Sequence, residues 1–175
     1  FDYSTTLNNL GNILTIRGRF EEAESLIRQS LTVCEESIGK DNSEYYKGQN
    51  TLGGLYSELG QYDRADSLYA LAEQYLNQLP LNDNPDVLWN ISNRAGIAVD
   101  LKNWYKALAL YEQVIAGIEH TLGVDHPEYA KMIMNKALVL KNMGRYDDAR
   151  LLYREAISTF RAKVGNDHPD LSVFY

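Results

Sequence analysis

One phrase recurs four times at a fixed spacing: GRFEEAESLIRQSL at 18–31, GQYDRADSLYALAE at 60–73, KNWYKALALYEQVI at 102–115 and GRYDDARLLYREAI at 144–157. The starting positions 18, 60, 102 and 144 are 42 residues apart. Self-similarity at such a period is the mark of an array of stacked supersecondary units, and it limits the fold before any single motif is weighed.

Stacking the copies shows what each unit contains. The columns Phe20/Tyr62/Trp104/Tyr146, Ala23/Ala65/Ala107/Ala149, Leu26/Leu68/Leu110/Leu152, Ile27/Tyr69/Tyr111/Tyr153 and Cys34/Leu76/Ile118/Phe160 are three or four residues apart or multiples of that. That spacing is one face of an α-helix, helix B of the unit, roughly 20–38 in the first copy. A second helix, A, precedes each B. Its columns are Tyr3/Tyr45/Val87/Tyr129, Ile13/Leu55/Ile97/Val139 and Leu14/Tyr56/Ala98/Leu140, with the small residues Gly11/Gly53/Ala95/Ala137 among them for close helix approach. Gly18, Gly60 and Gly144 separate A from B, where a helix end favours glycine. Lys102 stands at that place in the third copy.

The junctions between copies read GKDNSEY at 39–45, PLNDNPDV at 80–87, GVDHPEY at 123–129 and GNDHPDL at 165–171. Asp41, Asp83, Asp125 and Asp167 align, each followed three residues later by Glu44, Asp86, Glu128 or Asp170. Asp-x-x-Glu ahead of an apolar-periodic run predicts a helix N-cap with its capping-box partner. Pro85, Pro127 and Pro169 suit a first helical turn, where the missing N–H has no bond to lose.

The Gly/Ala column, the turn glycines, the aromatic column at 20, 62, 104 and 146, and the Ala column at 23, 65, 107 and 149 resemble the tetratricopeptide repeat. The 42-residue unit with a Gly-x-x-His-Pro linker looks like its kinesin-light-chain subclass. The resemblance covers essentially the whole chain. It implies an all-α, right-handed α-solenoid of four helix–turn–helix units, at about 1–42, 43–84, 85–126 and 127–168, with 169–175 the stub of a fifth. Arg94 and Lys136 depart from Leu10 and Leu52 in their column, and Pro80 breaks the end of the second helix B. The chain begins and ends within a repeat, so a longer parent protein is expected.

Composition excludes several functions. The chain of 175 residues is 45% hydrophobic and 23% charged, with a net charge of −7 and no Lys/Arg cluster. A nucleic-acid backbone or an anionic membrane surface would be repelled. No stretch of about 18 apolar residues suggests a membrane span. Cys34 is the only cysteine, so no internal disulfide forms, and a cytoplasmic setting is expected. His126 and His168 occupy equivalent linker positions and read as capping or linker packing; His120 stands alone near a helix end, and a metal site needs several convergent ligands. GQNTLGG at 48–54 lacks the Gly-Lys-Ser/Thr ending of a phosphate loop. No catalytic constellation is visible and no cofactor is expected.

The resemblance also implies a place for binding. In such arrays helix A lines the concave surface, and carrying the family's positions over gives the rows Thr5/Lys47/Trp89/Lys131, Asn8/Asn50/Ser92/Met134, Asn9/Thr51/Asn93/Asn135 and Asn12/Gly54/Gly96/Leu138. The candidate groove residues are Asn8, Asn12, Lys47, Asn50, Trp89, Asn93, Lys131, Met134 and Asn135. Amide side chains both donate and accept, which suits the backbone of an extended peptide. Trp89 has no evident packing duty in a row of Thr and Lys. The expected function is a non-catalytic protein–protein interaction module gripping a peptide or partner segment. The alternatives are a self-association scaffold, with contact through an uncapped C-terminal end, or a regulatory array attached to an effector domain elsewhere.

Overall fold

The computed structural model describes residues 2–76 and 85–164, which fold into eight α-helices. The chain divides into two compact units, 1–79 and 80–175. Unit 1 holds α1 (Asp2–Ile16), α2 (Phe20–Ile38), α3 (Ser43–Glu58) and α4 (Tyr62–Leu76); unit 2 holds α5 (Pro85–Asp100), α6 (Trp104–Thr121), α7 (Pro127–Asn142) and α8 (Tyr146–Val164). In unit 1, α1 packs on α2, α3 on α4, and both α1 and α2 touch α3. In unit 2 each helix packs on the next.

Small residues set the spacing within each pair. Ala23, Ala65, Ala107 and Ala149 are all buried. A Cβ on Gly11 would come within 2.5 Å of Ile27 Cγ1, and one on Gly53 within 3.0 Å of Tyr69 Cε1. Glycine at these two places lets helix A lie directly against the large side chain of helix B. Ile27 and Tyr69 fill the space so made, and both are buried, as is Tyr111 in the same column. Tyr3 and Ile13 of α1 depart from their columns: both are exposed, because no described helix precedes α1 to cover them.

The turn between paired helices is the same in all four copies. The N–H groups of Arg19, Gln61, Asn103 and Arg145 donate to carbonyls five residues back, those of Leu14, Tyr56, Ala98 and Leu140, at 2.8–2.9 Å. This is the hydrogen bond that closes a helix through a left-handed residue. Gly18, Gly60 and Gly144 supply that residue with φ of 72°, 69° and 79°. Lys102 supplies it in the third copy with φ 57°, so the turn survives the loss of glycine by forcing a lysine into the left-handed region.

The helix starts correct the expected caps. The N-cap of α3 is Asn42, whose side chain accepts from Tyr45 N–H at 2.9 Å, and that of α7 is His126, whose Nδ1 accepts from Glu128 N–H at 3.2 Å. Asp41 and Asp125 lie one residue too early. Pro127 opens α7 and Pro85 opens α5, as the missing N–H allows. Asp83, Asp167, His168, Pro169, Pro80 and the stub at 169–175 lie outside the described residues. On α8, Phe160 is buried and Tyr153 and Ile157 are half-buried.

Candidate partner-binding faces

In unit 1, Lys47 Nζ donates to Glu44 Oε1 at 3.2 Å, and Thr5 Oγ1 on α1 donates to Glu44 Oε2 at 3.1 Å. Glu44 thus bridges two neighbouring A helices. Its carboxylate was expected to close a capping box; the cap one residue later turns it onto this face instead. Asn12 and Lys47 are exposed and Asn8 is half-buried, with Oδ1 shielded from water and without a donor. Asn50 is only 3% exposed, so it belongs to the packing between helices more than to the surface.

Unit 2 repeats the arrangement two periods later, with one change. Lys131 Nζ donates to Glu128 Oε1 at 2.7 Å, as Lys47 does to Glu44. The position of Thr5 is taken by Trp89. Its side chain is 51% exposed and borders a pocket of about 240 Å³. Leu88 and Ser92 of α5, Val114 and Ile118 of α6, and Glu128 and Met132 of α7 line that pocket with it, as does Leu122 just past α6. Ser92 Oγ donates to Met132 Sδ at 3.6 Å, joining α5 to α7. Gly117 is what brings α5 and α6 together here, since a Cβ would meet Leu88 Cδ2 at 2.3 Å.

Asn93, Met134 and Asn135 are half-buried and Lys131 is exposed. Asn93 Nδ2 is shielded from water with no acceptor. An amide donor in that state costs stability. Glu128 lines the Trp89 pocket and pairs with Lys131, so one carboxylate links these two side chains. The sequence marks Glu44 and Glu128 as capping-box partners and not as members of this face. The signal was there, as each stands three residues before a lysine in the same repeat column.

Among the described residues no group of three His, Cys, Asp or Glu side chains is placed to hold a metal ion. No helix among them is long and apolar enough to cross a membrane. Cys34 is buried and its Sγ donates to Asn42 Oδ1 at 3.4 Å.

Comparison with known proteins bears on the fold as a whole. No curated protein sequence gives a significant match. Among solved structures, BtubC (BKLC) from P. vanneervenii superposes with a TM-score of 0.84 at 22% identity, over 96% of this chain and 67% of that one. A candidate kinesin light chain of Podosopora anserina, with nearly identical TPR-like repeats, gives 0.82 at 20% identity over 97% of this chain and 81% of that one. PilF of Pseudomonas aeruginosa gives 0.71 at 17% identity, over 99% of this chain and 66% of that one. These likenesses establish an all-α repeat fold of the kinesin-light-chain kind. A sequence model described as tetratricopeptide repeat matches residues 2–78 and again 86–162. With two such matches spanning most of its length, the chain belongs to the tetratricopeptide repeat family.

Proposed function

We propose that the chain is a non-catalytic interaction module, and that unit 2 grips a partner segment through the A-helix face carrying Trp89, Asn93, Lys131, Met134 and Asn135. Repeats of this family generally mediate protein–protein interactions. The observation that carries the reading is Trp89, a large aromatic side chain left half open at the mouth of an apolar pocket. Trp is the side chain most often found at binding hot spots, where a pocket takes apolar surface and an indole N–H adds direction. Asn93, half-buried one turn along α5 from Trp89, supplies a polar side chain beside it. The partner is protein: the net charge of −7 repels a phosphate backbone.

Peptides selected from a random phage-displayed library on the native protein test the reading. Replacing Trp89 by Ala should weaken the selected peptides at least tenfold while the helical circular dichroism stays unchanged. Selected peptides that bind the Trp89→Ala protein as well as the native one would remove this face from the account.

A further inference from the structure

We propose that unit 1 carries a second binding site, on the opposite side of α3 from Lys47, for an extended peptide segment with one acidic side chain among apolar neighbours. The site is a groove of about 730 Å³ with α3 as its floor and α2 and α4 as its walls. Tyr45, Gln49, Leu52 and Tyr56 form the floor; their spacing of four, three and four places them on one face of α3. Leu31 on one wall and Leu68 and Leu71 on the other supply apolar surface.

The floor contains a residue that packing alone does not call for. Gln49 occupies a column otherwise filled by Leu7, Ile91 and Ile133. It is 9% exposed, and its Oε1 is shut from water with no donor. A buried amide left this way costs stability, and an apolar side chain would remove the cost. The amide gains a role when its end turns into the groove, which Gln49 already lines, and accepts from a peptide backbone there. An extended segment has N–H groups to give, whereas a helix has already used its own.

One end of the groove is a cationic cluster built on Tyr56. The Tyr56 hydroxyl donates to Glu24 Oε1 at 2.6 Å and accepts from Arg28 Nη2 at 2.6 Å and Arg64 Nη2 at 2.9 Å. The Arg64 guanidinium also lies 4.0 Å above the Tyr56 ring. Arg28 has its carboxylate, Glu24, at 2.9 Å. Among the described residues Arg64 bonds only to the neutral groups of Gln61 and Tyr56, so the hydrogen-bonded cluster holds two guanidiniums and one carboxylate. An incoming acid completes it as a charge-assisted pair. Asp63 also lines the groove and repels a second acid, and Glu35 at the far end is already paired with Lys40 at 3.0 Å.

The same place in unit 2 is bridged by side chains of its own helices. There Tyr129, the counterpart of Tyr45, donates to Glu155 at 3.1 Å, and Lys136 reaches Glu112 at 3.0 Å. In unit 1 the counterparts of Glu155, Lys136 and Glu112 are Leu71, Leu52 and Arg28, so neither link can form. From Tyr45 to Tyr56 the floor is about 16 Å long at the helical rise, which fits about five extended residues.

Three pools of acetylated, amidated hexapeptides serve as probes, identical in an apolar alternating pattern except for one position fixed as Glu, Lys or Gln. Binding is read by amide chemical shifts of the native protein. The Glu pool should move the amides of residues 28–35 and 63–71 and the Lys pool should not. Arg64→Glu should weaken the Glu pool at least tenfold, and Gln49→Leu, which matches the apolar character of its column, should weaken it several-fold. Equal response to the Glu and Lys pools, or undiminished binding by either variant, would overturn the site. So would acetate alone giving the same shifts at the same concentration, since the site would then take a small carboxylate and no peptide.

Discussion

The Tyr129 hydroxyl donates to Glu155 Oε1 at 3.1 Å, tying the first turn of α7 to the middle of α8. Burial, reinforced by this bond to a carboxylate, pushes the Tyr129 phenol up to about 12. An unfolded tyrosine ionises near ~10. The raised folded value means that the neutral phenol is favoured by folding. Its contribution is therefore complete below about pH 10 and is lost as the pH rises from there towards about 12. Burial raises Tyr69 and Tyr111 as well. Urea midpoints measured across this alkaline range should fall steeply for the native protein and less steeply for Tyr129→Phe. Equal slopes would show that the Tyr129–Glu155 bond carries no linkage.

Lys102 holds φ at 57° to make a turn that glycine makes in the other three copies. Its side chain is exposed, so glycine there gives up little packing. Lys102→Gly should raise stability by roughly 1 kcal/mol, the cost of a left-handed non-glycine residue, offset in part by the greater freedom of glycine in the unfolded chain. A lower urea midpoint for the variant would place the strain elsewhere.

The buried Ala column fixes the distance between paired helices. Ala65 is fully buried where α4 faces α3. Leucine at this place overpacks the contact and should cost roughly 1–3 kcal/mol. An unchanged melting curve for Ala65→Leu would contradict the packing described for α3 and α4.

Gln49→Leu removes a buried acceptor that has no donor and restores the apolar character of its column. A gain of roughly 1–2 kcal/mol is expected in thermal or urea unfolding. A loss would mean that the Gln49 amide is satisfied in the free protein and has no need of a ligand.

The architecture was readable because stacking makes every copy bury the same face, and the 42-residue period repeats that demand four times. The Ala column, the Gly11 and Gly53 contacts and the A–B turns follow from it. The caps fall one residue later than the Asp column because Asp41 and Asn42, or Asp125 and His126, are both able to cap, and only backbone angles decide which does. The roles of Glu44 and Glu128 depend on contacts between neighbouring A helices, which a column of similar residues does not reveal. The Tyr56 cluster has no signature in the repeat for a different reason: it belongs to one unit alone. Arg28 and Arg64 come from different helices, and no repeat pattern brings them to mind. Trp89 stood out because it broke a column, and Gln49 broke one in the same way.

The most direct test of the interaction reading is the chemical-shift map of the native protein with a peptide selected on it. The indole N–H of Trp89 gives a signal separate from that of Trp104, the other tryptophan. The expected result is a displaced Trp89 indole signal together with shifts at Ser92, Asn93, Lys131 and Asn135, saturating with the binding isotherm. A peptide that binds with the Trp89 signal unmoved and no response along this face of α5 and α7 would contradict it.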